Sequence, residues 1–222
     1  MTSPCRVLIL ANGDPPSLAR LASLVAEHDL LLATDGAARK AQALGQHPDI
    51  ISGDFDSLSL QEAQREFPLS EIVPTPDQNY GDLEKAIGVA RERGATAITI
   101  TGATGGRLDH TLGVIALLLH YHTEIELRLI DDDSETRALS GTDTMLAEWA
   151  FPATPSDIVS LVSFDGRARA TLKGVQWPLC DHLLPIGTLG ISNRAIAERV
   201  VVQVRSGSVI VCHQKDPGIE RS

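Results

Sequence analysis

Two carboxylates, Asp54 and Asp56, stand two residues apart directly after the apolar stretch Pro48-Asp49-Ile50-Ile51-Ser52. If Ile50 to Ser52 end a buried strand, both acids leave its tip in roughly the same direction, since strand side chains repeat with period two. Anions held that close repel, so one must take a proton or a cation must sit between them. A hard divalent ion such as Mg2+, which takes oxygen ligands, suits the second case. Gly53-Asp54-Phe55-Asp56-Ser57 also reads as an ordinary turn, for which Asp, Gly and Ser are common residues.

A second constellation is Gly102-x-x-Gly105-Gly106-Arg107, placed between a predicted strand and a predicted helix. Backbone amides of such a loop, with the following helix N-terminus, can hold a phosphate, and the planar fork of Arg107 suits its oxygens. No Lys-Ser or Lys-Thr follows the glycines, so this is not a Walker A loop, and the spacing is not that of a dinucleotide fold. Asp109, in the first turn of the helix, is equally well explained by the helix dipole. Asp82 begins another helix and can cap it, and Lys85 one turn on reads as a solvated helix charge. His120 and His122 are two apart at a helix end and make a poor metal pair. Trp177, before Pro178 in a loop, is either core or a surface for a flat ring, and Ser192-Asn193 follows a glycine-bounded turn.

The elements that would position these residues alternate. Arg6–Ala11, Leu30–Ala33, Ile50–Ile51, Glu71–Val73, Ala97–Thr101 and Glu126–Ile130 read as short buried strands. Between them, helices are expected from Ser17 on, over Ala37–Leu44, Gln61–Glu66 and Asp82–Arg93, and from about Leu108 to Leu119. Such alternation implies a mostly parallel sheet with helices on both faces, whose ligands bind beyond the carboxyl ends of the strands. The diacid, Asp35-Gly36 and the glycine loop all follow strands, so one rim should carry them. After the acidic turn Asp131-Asp132-Asp133 the pattern changes. Asp143–Trp149, Ile158–Phe164, Arg167–Leu172, Val200–Arg205 and Ser208–Cys212 read as strands, with hairpin turns expected at Asp165-Gly166 and Ser206-Gly207. The expected division is an α/β domain over 1–134, an all-β domain over 135–216 and a tail over 217–222.

With 222 residues, 43% hydrophobic and 22% charged, the composition is that of a soluble globular protein. A formal net charge of −10 argues against nucleic-acid binding, which needs a basic face. The three cysteines, Cys5, Cys180 and Cys212, form no C-x-x-C pair and suit a reducing compartment. No secretory signal or membrane-length apolar run is visible, so a cytoplasmic protein without membrane attachment is expected.

Taken in order, Asp35-Gly36-Ala37-Ala38, Gly53-Asp54-Phe55-Asp56-Ser57, Asp77-Gln78-x-x-x-Asp82-x-x-Lys85-Ala86 and Gly105-Gly106-Arg107-Leu108-Asp109-His110 resemble the thiamine pyrophosphokinase family. Gly174 to Leu179 and Ser192-Asn193 extend the likeness over nearly the whole chain. The resemblance implies an N-terminal α/β catalytic domain, a C-terminal β-sandwich, and a homodimer with sites between subunits. It implies transfer of pyrophosphate from ATP to the thiamine hydroxyl, with AMP released. Asp54, Asp56 and Asp82 are then the Mg2+ ligands, Arg107 and Asp109 act at the reacting phosphates, and Asp35 with Gly102, Gly105 and Gly106 lies at the nucleotide. Gln78, Trp177, Ser192 and Asn193 form the thiamine set, with Trp177 facing the partner subunit's site. Two residues depart from the family pattern: Gly81 stands where Thr is usual, and Arg39 where Asn is usual. Two other readings stay open on the residues alone. Asp54-Phe55-Asp56 is also the D-x-D of metal-dependent sugar-nucleotide transferases, and a non-catalytic thiamine or nucleotide sensor could keep the same fold.

Overall fold

A computed structural model describes residues 5–142 and 144–216, so the expected tail over 217–222 lies outside the described residues. The chain divides into two compact units, residues 5–117 with 124–132 and residues 118–123 with 133–216.

The first unit holds strands β1 (Cys5–Leu10), β2 (Leu30–Thr34), β3 (Ile50–Gly53), β4 (Glu71–Pro74), β5 (Ala95–Thr101) and β6 (Glu126–Ile130). They pair in parallel, in the spatial order β4-β3-β2-β1-β5-β6. Helices α1 (Leu18–Ala26), α2 (Asp35–Ala43), α3 (Leu60–Glu66), α4 (Asp82–Glu92) and α5 (Leu108–Tyr121) follow successive strands. Val7, Leu8, Ile9 and Leu10 are all fully buried, as a strand covered on both faces requires. Leu8 and Leu10 share one core with Leu21, Leu24, Ala37, Ala38, Ile51 and Phe67. Helix starts are chemically marked. Ser17 caps α1, and Ser59 forms a reciprocal capping box with Glu62 at α3. The order of connection reverses between β1 and β5, and in open parallel sheets the crevice beyond that point is where ligands bind.

The second unit is a β-sandwich built on one long strand. It comprises β7 (Ser134–Gly141), β8 (Ala147–Pro152), β9 (Ile158–Val162), β10 (Ala168–Lys173), β11 (Leu179–Leu184), β12 (Asn193–Arg194) and β13 (Arg199–Gln214). The first half of β13 pairs antiparallel with β8 and β10, and β10 with β11. Its second half pairs with β7 and β9, and β9 with β12. The hairpin expected at Ser206-Gly207 is therefore absent: the two late strands are one, and Gly207 (φ 71°) is where it passes between sheets. A Cβ at Gly207 would stand 2.8 Å from the Ala168 backbone, and its register partner Gly141 has no room for a Cβ against Val204. Two strands cross at a point that only glycines fit. Asp165-Gly166 is likewise no hairpin, because β9 and β10 lie in different sheets. The expected strand from Asp143 is displaced to Ala147–Pro152, and Asp143 lies outside the described residues. Trp149, Phe151, Leu161, Leu172, Val202, Val204, Val209 and Val211 fill the space between the sheets.

Beneath the parallel sheet, His28 Nδ1 lies 2.6 Å from the Leu24 carbonyl and Nε2 lies 2.7 Å from Thr99 Oγ1, which also accepts Arg128 Nε at 2.9 Å. A neutral ring with its proton on Nδ1 satisfies every group: Nε2 accepts the Thr99 hydroxyl hydrogen. A charged ring would put a second N–H, beside Arg128 Nε, on the Thr99 hydroxyl and remove the acceptor for its hydrogen. Burial lowers the His28 pKa, with the Leu24 carbonyl opposing. The unfolded chain therefore binds a proton first as pH falls through about 6.5, and the stability this imidazole contributes, complete above that pH, is lost on acidification. The melting temperature should fall between pH 7.5 and 5.5 more steeply in the wild-type chain than in His28→Gln. Parallel melting curves for the two across that range would show that His28 does not carry the effect.

Candidate active site

The carboxylates converge at the ends of β2 and β3. Asp35 is the first residue of α2 and only 4% exposed. Its Oδ1 accepts the Gly36 amide, whereas Oδ2 is buried with no hydrogen-bond partner. Burial raises its pKa, the nearby charges of Asp82 and Asp54 add to the rise, and the Gly36 and Ser57 amides oppose it. Asp54 Oδ1 accepts the Asp56 amide at 3.2 Å, and Gln78 Nε2 donates to Oδ2 at 3.3 Å. That amide, with Gln78 and the charge of Lys85, holds the Asp54 carboxyl below the usual range against burial. Between the two acids, Phe55 adopts φ 63° and packs against the core. A left-handed conformation costs a residue with a side chain roughly 1–2 kcal/mol. Here it lets the ring anchor inward while Asp56 is exposed. The turn and the cluster are one feature.

Asp82 is the first residue of α4; the N-cap is Gly81, without a side-chain cap, so Asp82 is not the cap. Its Oδ1 lies 2.7 Å from Lys85 Nζ. The Lys85 side chain is only 7% exposed, which corrects the expectation of a solvated charge: it is the counter-ion of the cluster. Among the described residues, no three His, Cys, Asp or Glu side chains close on one point tightly enough to enclose an ion unaided. Thr34 Oγ1, Ser52 Oγ and Thr101 Oγ1, at the carboxyl ends of β2, β3 and β5, and Thr75 Oγ1, just after β4, are also buried without partners. Buried polar atoms in native folds are normally paired with protein, water or ligand. Arg39 points elsewhere, its fork on Glu66 of α3 at 2.8 and 2.9 Å.

The glycine loop is braced from the β1 side. The Gly13 amide donates to the Gly102 carbonyl at 2.7 Å, and Asp14 N to the Thr104 carbonyl at 3.0 Å. Lys40 Nζ donates to the Asn12 and Gly13 carbonyls, both at 2.8 Å. The acidic turn after β6 ties down the same rim. Thr104 Oγ1 donates to Asp131, and Asp132 accepts both the amide and the hydroxyl of Ser17. Gly102 and Gly105 have φ of 63° and 81°, which glycine adopts without strain. Gly105, Gly106, Arg107 and Asp109 are exposed, and Arg107 forks onto Asp109 at 3.1 and 2.6 Å. This pair raises the Arg107 pKa and lowers that of Asp109.

In the second unit Trp177 is 56% exposed, so it is not core. Ser192 is exposed, at φ 60°, its amide on Ser160 Oγ at 3.0 Å. Asn193, one residue on, is 4% exposed and turned inward. The polar pair of the sequence thus divides into one residue offered to solvent and one enclosed.

Two family models match in chain order: the thiamin pyrophosphokinase catalytic domain over residues 21–129 and its vitamin B1 binding domain over 152–209. The chain belongs to the thiamine pyrophosphokinase family. It is 30% identical to the thiamine pyrophosphokinase of Bacillus subtilis over 224 residues, covering 94% of this chain and 98% of that protein. A crystal structure of thiamine pyrophosphokinase from Bacillus subtilis aligns with a TM-score of 0.82 at 28% identity, covering 95% of this chain and 99% of that one. The thiamin pyrophosphokinase of Candida albicans shares the fold, with a TM-score of 0.81 at 17% identity, covering 96% and 90%.

Sequence reasoning passed over the Asn12, Lys40, Asp131 and Asp132 braces and misread Lys85. The run Asp131-Asp132-Asp133 was the available signal for two of them. Gly53 carries a constraint of its own, since a Cβ there would stand 2.6 Å from Asp35 Cγ. Gly53→Ala should displace Asp35 and destabilise the fold by about 1–3 kcal/mol, the usual effect of overpacking. Chemical denaturation measures this, and a variant of wild-type stability would mean that Asp35 moves freely.

Proposed function

We infer that this chain transfers the pyrophosphoryl group of ATP to the hydroxyl of thiamine, giving thiamine diphosphate and AMP. What carries this reading is the catalytic and vitamin B1 binding matches on one chain whose catalytic half gathers Asp35, Asp54 and Asp82 at one rim. The thiamine oxygen bonds to the β-phosphorus of ATP as the bond from that phosphorus to the α,β-bridging oxygen breaks, AMP leaves with that oxygen, and the hydroxyl proton is released. Most catalysis in such transfers is positioning and charge neutralisation.

The unpartnered Oδ2 of Asp35, beside two further carboxylates, fits a hard cation. Asp54, Asp56 and Asp82, with Asp35, would hold Mg2+, which supplies charge neutralisation on the polyphosphate. Lys85 pairs with Asp82 and places its charge near Asp54. Arg107, whose Nε and Nη2 are held by Asp109, would offer its remaining Nη1 edge to phosphate, and the amides of Gly102, Gly105 and Gly106 are assigned to the same polyphosphate. Gln78 donates to Asp54 and is assigned to the thiamine set. Trp177 presents a face that suits the flat, positively charged thiazolium ring, and Ser192 offers its hydroxyl.

The chain is proposed to act as a homodimer. Phe164, Leu183, Ile186, Leu189 and Ile191 of the second unit are large apolar side chains at 42% exposure or more, which supports burial against a second copy. A cytoplasmic setting is proposed with it, on the three free cysteines. No helix among the described residues is long and apolar enough to cross a membrane.

Incubation with ATP, Mg2+ and thiamine should yield thiamine diphosphate and AMP in equal amounts. Asp54→Asn should lower turnover by roughly a hundredfold or more while keeping the wild-type circular dichroism spectrum, as loss of a preorganised charge does elsewhere. Nucleoside diphosphate released from a sugar nucleotide, without AMP from ATP, would favour the transferase reading. Tight binding of both substrates with no turnover would favour a sensor.

A further inference from the structure

Three of the four hydrogen-bonding sites of the Asn193 side chain are engaged by main chain, two of them by Trp177. Oδ1 accepts the Trp177 amide at 3.1 Å, and Nδ2 donates to the Trp177 carbonyl at 2.6 Å. Oδ1 also accepts the Arg194 amide at 2.9 Å. One side-chain amide thereby takes both main-chain groups of one residue, as a neighbouring strand would. The flanking chain is fixed as well. Gln176 N donates to the Arg194 carbonyl at 2.8 Å and Ile196 N to the Gly174 carbonyl at 2.9 Å, with Val175 bridging Ala195. Pro178 restricts the backbone of Trp177 to extended conformations. The result is a solvent-facing indole on a main chain held from both sides.

We propose that Asn193 is a positioning residue that acts on the substrate only through Trp177, by locking the indole in its stacking orientation before thiamine arrives. The proposal rests on the reading of Trp177 as the thiamine platform. Both acceptor sites of Oδ1 are taken and Asn193 is buried, so the side chain is spent on the scaffold rather than offered to a ligand. Preorganisation raises affinity by removing the ordering cost from the binding step. A loosened Trp177 should therefore raise KM for thiamine and leave KM for ATP alone.

The test is a double-mutant cycle with Trp177→Ala and Asn193→Asp, the latter isosteric but setting an acceptor against the Trp177 carbonyl. Trp177→Ala should raise KM for thiamine about tenfold, the equivalent of about 1.4 kcal/mol. Asn193→Asp should approach the same value with kcat within about twofold, and should add nothing in the Trp177→Ala background, since groups acting as a unit are not additive. In a Trp149→Phe background, which leaves Trp177 as the only tryptophan, Asn193→Asp should also speed the local fluorescence depolarisation of the free protein. Additive effects on KM would place Asn193 in direct contact with thiamine and overturn the proposal, as would unchanged depolarisation. If Trp177→Ala alone leaves KM unchanged, the platform reading fails, while the depolarisation result still reports on the lock. Should Asn193→Asp not fold, Asn193→Ser, which is too short to reach both backbone groups, takes its place in both measurements with the same expected outcomes.

Discussion

Like charges held together at the end of a parallel sheet are the constraint on which the catalytic half depends. Asp35, Asp54 and Asp82 arrive from three different elements, and the charges of Asp82 and Asp54 raise the cost of ionising the buried Asp35. The fold offsets this locally. The Asp56 amide and Gln78 favour the charged form of Asp54, and the nearly buried ammonium of Lys85 lies against Asp82. The helix N-termini at Asp35 and Asp82 point partial positive charge at the same acids. What is left over is one carboxylate oxygen of Asp35, enclosed and unpaired. An acidic chain whose co-substrate is a polyanion thus keeps, at its sheet end, a buried acceptor without a protein partner.

The glycine loop follows a different logic. Its φ values are of the kind glycine takes freely, yet the loop is not slack. Hydrogen bonds from the β1 exit fix its base, and the carboxylates after β6 hold Thr104 and Ser17. Freedom of the individual residue and rigidity of the loop are compatible because the restraint comes from neighbouring strand ends. Apart from Lys40, which reaches in from α2, the braces come from the carboxyl ends of β1 and β6, which is why the parallel sheet matters to the chemistry.

Much of the first unit was legible in the sequence, because its strands are short apolar runs ended by Gly, Asp or Pro and its helices carry caps and apolar stripes. The diacid, the glycine loop and the placement of Asp35 on one rim followed from that pattern. Lys85 did not. A lysine three residues after an aspartate on a helix reads as a surface pair, and only the fold shows how little of it meets water. In the second unit the turns misled. Asp-Gly and Ser-Gly are sound hairpin signals locally, but Gly166 joins strands of different sheets and Gly207 bends a continuous one. Period-two alternation shows which residues face inward, and it carries no information about which strand lies alongside. Likewise Ser192-Asn193 looks like one polar pair, yet Ser192 ends a turn at φ 60° and is exposed, while Asn193 begins β12 and is buried.

The single strand Arg199–Gln214, shared by both sheets of the second unit, also fixes how that unit can assemble. Each of its other strands precedes β13 in the chain, and four of them pair with it directly. Neither sheet can close from local hairpins, so the contacts that define the sandwich span long sequence separations, a topology associated with slow folding. Until the last strand is in place, β7 to β11 present open edges, and such edges invite pairing with other chains. The glycine crossing that lets one strand serve two sheets thus makes the final segment the closing piece of the unit, and the period before it is added the time when the newborn chain is most exposed to misassembly.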